Sequence, residues 1–134
     1  MNSKGRHITL DYSGFKGDGD WMLNILRTAV SRSAAREVHA HVEQFDGVKS
    51  PHGFAAVVLI DESHVSAHCY EDEGILAVDC FTCGGVDPAS IADDIHQQLT
   101  DAIPVIKLLQ RNELDRFVME GGDARFRRAP FPPF

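Results

Sequence analysis

Strand-like patterns of hydrophobic and polar residues occupy most of the chain up to about residue 110. At residues 7–12 and 38–42 apolar side chains alternate with polar ones, and residues 54–60 form a continuous apolar run of strand length. A turn at Glu71-Asp72-Glu73-Gly74 separates two further strand patterns. The strands predicted in this way are residues 7–12, 38–42, 54–60, 63–70, 74–83 and 105–109.

Two segments have helical spacing instead. Apolar residues recur three and four positions apart over residues 20–36, and again over residues 91–103, in a segment that opens with the favourable N-cap pair Asp87 and Pro88. Successive strands with two helices favour an α+β fold, a two-layer sandwich in which a mostly antiparallel sheet has helices on one face. The other face then needs cover, which a dimer packed sheet on sheet, in a four-layer αββα assembly, would supply.

Composition narrows the class of protein and of partner. The 134 residues make one domain by length, and 43% hydrophobic with 25% charged residues is ordinary for a soluble globular protein. The net charge of −7 disfavours nucleic acid as the main partner and suits a cationic small molecule. No apolar run reaches the roughly 20 residues of a membrane helix, the first residues lack the apolar core of a secretion signal, and the three cysteines are a poor disulfide framework. We therefore expect a cytoplasmic protein without a membrane partner.

Ser63 is the first candidate for catalysis, because it follows the acidic residue Glu62 at a strand-to-strand junction. A serine hydroxyl can attack the preceding carbonyl and turn the amide into an ester, and elimination then splits the chain and leaves a pyruvoyl group. This needs a tightly held peptide bond and groups that move protons. His68 can move protons near neutral pH, but an ideal strand does not place it on the same face as Ser63, so the role requires irregular backbone. A serine that only forms a hairpin turn is the structural alternative.

Cys80 and Cys83 form a Cys-x-x-Cys pair at the end of a predicted strand. A structural zinc site needs about four ligands, and only Cys69 and scattered histidines remain, so no metal is expected. A thioredoxin-like pair would open a helix, which these cysteines do not. Because residues three apart on a strand point to opposite faces, we expect Cys80 in the core and Cys83 at a pocket, where its thiol could donate a proton.

Three sequence blocks occur together in the chain. They are Gly5-Arg6-His7 with Asp11, Glu62-Ser63-His64-Val65-Ser66-Ala67-His68, and Val78-Asp79-Cys80-Phe81-Thr82-Cys83-Gly84-Gly85-Val86-Asp87-Pro88. With this spacing the chain resembles the short prokaryotic S-adenosylmethionine decarboxylases. The resemblance implies that a single domain, residues 1–134, cuts itself between Glu62 and Ser63. The products would be a β chain of residues 1–62 and an α chain of residues 63–134, with residues 111–134 as an extended tail.

The resemblance also implies the reaction. The α chain would begin with a pyruvoyl group made from Ser63, and the substrate amine would join it as a Schiff base while carbon dioxide leaves, without a metal or pyridoxal phosphate. His68 matches the residue that assists processing, and Cys83 matches the catalytic proton donor. The expected enzyme is a homodimer of processed protomers with active sites at or near the interface. It would make decarboxylated S-adenosylmethionine for polyamine (spermidine) synthesis.

The substrate side departs from the family pattern. Family members carry His-Thr-Trp-Pro-Glu where this chain has His68-Cys69-Tyr70-Glu71-Asp72, a phenylalanine near Lys49 and a processing serine at Ala55. Tyr70, Asp72 and Lys49 are therefore the expected substrate-binding residues. Tyr70 could stack on adenine and Asp72 could pair with a cation, whereas Lys49 has no ring to stack.

These departures leave two alternatives open. The first is a diverged decarboxylase of a basic amino acid such as arginine or ornithine, with Asp72 or its neighbours pairing with the distal cation. The second is a non-catalytic subunit that binds or activates a partner, which the loss of serine at Ala55 favours slightly. The joint presence of Ser63, His68 and Cys83 disfavours the second alternative, because a subunit without activity has no chemical need for all three.

Overall fold

The computed structural model describes residues 3–120, which form one six-stranded sheet with two helices. Along the chain the elements are β1 (Ser3–Ser13), α1 (Gly19–Ser31), β2 (Glu37–Gln44), β3 (Gly53–Ile60), β4 (Ser63–Tyr70), β5 (Ile75–Cys83), α2 (Pro88–Ala102) and β6 (Lys107–Val118). In space the strand order is β2-β3-β4-β5-β1-β6, and all neighbouring strands are antiparallel. The predicted α+β class is confirmed.

One face of the sheet carries the hydrophobic core. Alternate residues of the inner strands point to this face and are buried, and cross-strand pairs such as Ala67 with Val78 and Ile8 with Cys80 hold them in register. Both helices pack their apolar sides on the same face, as the helical spacing predicts. The buried nonpolar residues of the helices that belong to this core are Met22, Ile25, Leu26, Ala29, Val30, Ile91, Ala92, Ile95 and Leu99.

The helix ends follow local hydrogen bonding. α2 begins at Pro88 with Asp87 as its N-cap, as predicted. α1 ends at Ser31, so the prediction of a helix to residue 36 is wrong. The Ser33 hydroxyl donates to the carbonyl of Val30 at 2.7 Å, a local bond that competes with continuation of the helix. In the described part of the chain, neither helix is long and apolar enough to cross a membrane.

β6 is longer than the predicted strand at residues 105–109. It continues to Val118 beside β1, so residues 111–118 belong to the sheet rather than to a tail. Residues 121–134 of the expected tail lie outside the described residues. All 12 residues of β6 are exposed, so no alternation of buried side chains marks the strand in the sequence. Backbone pairing with β1 forms it, and an ion pair of 2.7 Å between Arg111 and Asp93 ties it to α2.

The sheet face opposite the helices, here called the open face, has no covering layer within residues 3–120. Exposed apolar side chains on this face include Leu59, Tyr70, Ile75 and Leu114. An antiparallel sheet with one face in water usually presents polar residues there. The apolar side chains of the open face therefore suit contact with a partner.

Candidate active site

Ser63 is the first residue of β4 and follows a two-residue hairpin turn. β3 ends at Ile60, and Asp61 and Glu62 form the turn between the paired and buried residues Ile60 and Ser63. Asp61 has a φ of 47°, which lies in the left-handed region. Glycine is the usual residue at the first position of a type II′ turn, because that position requires a positive φ. The peptide bond between Glu62 and Ser63 is therefore part of a tight turn that is anchored at both ends.

The Ser63 hydroxyl has a defined partner on β5. Its oxygen accepts a hydrogen bond of 2.9 Å from the backbone N–H of Cys83, the last residue of that strand. The strand ends there because Gly84 turns the chain with φ 67°, and because the Thr82 hydroxyl donates to the Val86 carbonyl at 2.8 Å. The end of β5 thus holds the serine oxygen beside the peptide bond that precedes it.

Cys83 lies at an open cavity of about 640 Å³ next to this turn. The cavity is lined by Lys4, Glu62, Cys83, Gly84 and Phe117. Gly5 faces Cys83 across the β1–β5 pair, and a methyl group in its place would lie 3.3 Å from the cysteine sulfur. Glycine at position 5 therefore leaves room for the thiol of Cys83.

Cys80 has the opposite environment. It is fully buried in the core, and this burial raises the pKa of its thiol to about 12. Strand parity thus separates Cys80 from Cys83 as predicted. Cys80 remains protonated and unreactive, so only Cys83 of the pair is placed for chemistry.

His68 lies far from Ser63 within one chain. β4 is regular between them, and five residues of strand span about 16 Å. The irregular backbone that would bring the two together is not present. His68 is exposed on the open face, where its cross-strand neighbours are Ala55 and Ala77. Ala55, the position of the expected processing serine, is thus the direct neighbour of the histidine.

His68 and Tyr70 line a second cavity, of about 290 Å³, at the opposite end of β4 from Ser63. The other residues around it are Asp11, Tyr12, Ile75, Leu76, Ala77 and Leu109. The structure thus brings Tyr70 and His68 together with Asp11. Asp72 lies in the β4–β5 turn and Lys49 in the β2–β3 loop, both exposed, and neither lines this cavity.

Sequence reasoning missed Phe45, which provides an aromatic ring beside Tyr70. The two ring centroids are 6.4 Å apart and the rings are tilted by 45°. The following residue, Asp46, accepts backbone N–H bonds from Val48 and Lys49 at 2.8 and 2.9 Å, and these bonds lower the pKa of its carboxyl group. The loop is folded by Asp46 itself, and an aromatic residue directly before an Asp-Gly turn was the available signal.

A histidine pair on the open face was also missed. His7 Nε2 lies 2.9 Å from the carboxylate of Asp79, and the rings of His7 and His64 pack at 6.3 Å, with Phe81 against both. Burial lowers the pKa of His64, and neighbouring His7 adds to the effect. His64 thus belongs to a packed cluster of side chains beside the Cys83 end of β5.

The turn between β3 and β4 brings Ser63 and Cys83 together. Among residues 3–120 no group of three or more histidine, cysteine, aspartate or glutamate side chains could hold a metal ion. What the structure assembles at the β3–β4 turn is a serine oxygen next to a peptide bond in a tight turn, with a cysteine thiol in the adjoining cavity. This arrangement can support attack by a hydroxyl on the backbone and proton donation by a thiol.

Comparisons with known proteins agree with one another. A family model described as S-adenosylmethionine decarboxylase matches residues 6–112. The S-adenosylmethionine decarboxylase proenzyme of Symbiobacterium thermophilum is 35% identical over 112 residues, which cover 80% of this chain and 82% of the relative. That of Persephonella marina is 30% identical over 122 residues, covering 88% and 82%. The crystal structure of adenosylmethionine decarboxylase from Aquifex aeolicus superimposes with a TM-score of 0.68 at 27% identity, covering 92% of this chain and 98% of that one.

Proposed function

The chain belongs to the S-adenosylmethionine decarboxylase family, and we propose that it cuts itself between Glu62 and Ser63 and then decarboxylates S-adenosylmethionine. It is accordingly a carboxy-lyase whose pyruvoyl group is made from its own serine. Cleavage would give a β chain of residues 1–62 and an α chain of residues 63–134. The product of decarboxylation serves polyamine synthesis, and the enzyme works in the cytoplasm.

The hydrogen bond between Cys83 N–H and Ser63 Oγ is the observation that carries this proposal. It leaves the serine proton free to be removed and fixes the oxygen at the start of β4, directly after the Glu62–Ser63 peptide bond. The positive φ of Asp61 strains the adjoining turn, and strain of this kind is common where a backbone has to react. The residues present therefore fit a pyruvoyl group at position 63.

Self-cleavage needs no reagent beyond water. Ser63 Oγ bonds to the carbonyl carbon of Glu62, the carbon–nitrogen bond between the two residues breaks, and the proton of the hydroxyl ends on the Ser63 nitrogen. A base then removes the α-proton of Ser63, the Cβ–Oγ bond breaks, and Glu62 leaves as a carboxylate. Water replaces the nitrogen that remains, ammonia leaves, and a ketone is left at position 63.

A pyruvoyl group at position 63 would be held at the end of β5 and would supply the electron sink for the loss of carbon dioxide. After carbon dioxide has departed, the protein has to supply a proton to the α-carbon of the substrate. Cys83 is the residue for this role because it is a half-buried free cysteine that lines the cavity beside Glu62. Proton donation from a placed side chain is worth about 10²- to 10⁴-fold in rate.

His68 acts from the second chain of a homodimer. In one chain about 16 Å of strand separates it from Ser63, too far for any proton transfer. In a two-fold dimer a contact between two different parts of the chain occurs twice, so the Ser63 end of each chain can meet the His68 end of the other. The apolar side chains of the open face supply the surface for such a contact. Each active site is then shared between two protomers.

The substrate is held at the cavity of His68 and Tyr70 of one protomer, which the dimer brings to the Ser63 end of the other. Phe45 and Tyr70 offer aromatic surface for an adenine ring, and Asp11 and the exposed Asp72 offer carboxylates for the cation. A basic amino acid remains the second candidate substrate. It is favoured by the size of the cavity, about 290 Å³, which is small among sites for small molecules.

Intact-mass measurement of the freshly purified protein tests the proposal first. Two fragments that divide at Glu62/Ser63, with the α fragment carrying a pyruvoyl terminus, are expected, and Ser63→Ala should stay whole. Ser66→Ala, a buried serine on the same strand, is the matched control and should cleave. Release of carbon dioxide from S-adenosylmethionine, or instead from arginine or ornithine, then distinguishes the two candidate classes of substrate. A wild-type chain that stays whole would favour the non-catalytic subunit.

A further inference from the structure

The turn that precedes the proposed cleavage site is held by an arginine from a different part of the chain. Arg36 donates to one carboxylate oxygen of Asp61 from Nε at 3.1 Å and from Nη2 at 2.6 Å. Arg36 directly precedes β2, and the pairing of Glu37 with Ile60 brings it next to Asp61. Nothing in the sequence motifs around Ser63 marks Arg36, which lies 25 residues before Asp61.

A second arginine fixes the start of β2. Glu37 receives two hydrogen bonds from Arg27 of α1, 2.8 Å from Nε and 3.0 Å from Nη2, in a two-pronged pair that defines its geometry. The register of β2 against β3 shifts between Glu37 and His39, as at a β-bulge, which re-aims the end of the strand. The turn at Asp61 is thus connected to helix α1 through two successive arginine–carboxylate pairs.

Asp61 needs such support because of its backbone. Its φ is 47°. A residue with a side chain adopts this angle at a cost in free energy, whereas glycine adopts it freely. If Asp61 relaxes to a negative φ, the next peptide units rotate, and the Glu62 carbonyl turns relative to the Ser63 oxygen. Asp61 in this conformation therefore sets the direction from which the Ser63 hydroxyl approaches the Glu62 carbonyl.

We propose that Arg36 and Asp61 are positioning residues for self-cleavage, and that their ion pair holds the turn in the reactive conformation. This inference rests on the proposed cleavage between Glu62 and Ser63. The step concerned is the formation of the bond from Ser63 Oγ to the Glu62 carbonyl carbon, the breaking of the bond from that carbon to the Ser63 nitrogen, and the movement of the hydroxyl proton to that nitrogen. Arg36 and Asp61 exchange no proton and act through geometry alone.

The exposure of the pair makes this role measurable. The side chains of Arg36 and Asp61 are 77% and 51% exposed, so dissolved salt screens their attraction. Self-cleavage of the wild-type chain should slow as salt rises towards about 1 M, because exposed ion pairs weaken at high ionic strength. A variant without the pair should cleave more slowly at low salt, and its cleavage rate should depend little on salt. Loss of a residue that only stabilises the fold would not remove the salt dependence of the cleavage rate.

The experiment follows cleavage in freshly synthesised full-length chains by intact mass, at low salt and at about 1 M potassium chloride. Arg36→Gln should slow cleavage about fivefold at low salt, the effect of losing an exposed ion pair of up to ~1 kcal/mol. Asp61→Asn removes the charge but keeps a residue that tolerates positive φ, and should slow it in the same way. Arg32→Gln breaks an exposed pair with Asp94 that does not touch the turn, and should cleave at the wild-type rate.

Asp61→Gly gives the sharpest test. Glycine takes the positive φ without the ion pair, so this variant should cleave at least as fast as the wild type, and adding Arg36→Gln to it should have no further effect. The inference would be overturned by equal cleavage rates for wild type and Arg36→Gln. It would also be overturned if Arg36→Gln still slowed cleavage in the Asp61→Gly chain. Either result would leave the proposed function standing. A wild-type chain that never cuts would overturn the proposed function, and this inference with it.

Discussion

The hydroxyl oxygen of Ser63 and the backbone nitrogen of Cys83 lie 2.9 Å apart, joined by a hydrogen bond between the first residue of β4 and the last residue of β5. The same cysteine lines the cavity beside the turn. One residue would thus serve both stages of the proposed reaction. Its backbone positions the serine for cleavage, and its side chain is placed to donate a proton in the decarboxylation that follows.

Cys83→Ala should separate these two stages. The substitution keeps the backbone N–H that holds Ser63, so self-cleavage should continue, whereas kcat for decarboxylation should fall about 100-fold or more because the proton donor is lost. Cys80→Ala is the control on the same strand. It should lower the thermal unfolding temperature by removing a buried side chain, yet keep kcat near that of the wild type. An unchanged kcat in Cys83→Ala would remove the cysteine from the chemistry.

His68→Ala tests whether the histidine acts across a dimer. Alone, this variant should stay uncut, and so should Ser63→Ala. Coexpressed with different tags, the two can form mixed dimers, in which the His68→Ala chain has a serine and receives histidine from its partner. Intact mass should then show cleavage of the His68→Ala chain alone.

A double variant lacking both Ser63 and His68 is the control partner in this experiment, because it offers no histidine and should rescue nothing. The mixed dimers have to be present for the result to count. If the His68→Ala chain then stayed whole with the Ser63→Ala partner as well as with the double variant, the histidine would act within its own chain. Cleavage of His68→Ala by itself would mean that processing does not need this histidine.

His64 should make the protein less stable in acid. Burial, together with neighbouring His7, lowers the pKa of His64 below the ordinary 6.5, so the unfolded chain binds this proton more readily than the folded chain. The contribution to stability is complete above 6.5 and is lost as the pH falls through the lowered pKa of the folded state. Thermal unfolding of the wild type at pH about 7.5 and about 5 should show this loss, and His64→Gln should reduce it.

His41→Gln is the matched control for the acid experiment. It removes a histidine on β2 whose side chain is 58% exposed, and the unfolding temperature should keep its wild-type dependence on pH. If His64→Gln lost as much stability in acid as the wild type, other groups would account for the acid sensitivity.

Phe45→Ala should weaken substrate binding and leave self-cleavage unchanged. Loss of one aromatic ring under a nucleobase costs on the order of 1–3 kcal/mol, so KM for S-adenosylmethionine should rise about tenfold with a smaller change in kcat. Val48→Ala, at an exposed position in the same loop, should have the wild-type KM. A KM unaltered in Phe45→Ala would show that the ring does not contact the adenosyl group.

Much of the site was predictable because its parts are local in sequence. Strand parity alone separated Cys80 from Cys83, since neighbouring side chains of a strand point to opposite faces. The acidic residue before Ser63 marked the turn, and the N-cap Asp87 marked the start of α2. Phe45 was missed because its role depends on how Asp46 folds the loop, which spacing along the chain does not express.

The amino-acid pattern was enough to predict the α+β class, the buried strands and helices, the serine junction and the family. Each of these depends on short-range periodicity or on residues close together in the chain. The folded structure was needed to show that β6 extends to Val118, because an exposed strand is held by backbone hydrogen bonds to β1 rather than by a hydrophobic pattern. It also decided that His68 lies at the other end of its strand from Ser63, and that Arg36 reaches Asp61. Pairing between strands brings distant residues together or keeps near ones apart, and a linear pattern does not encode that pairing.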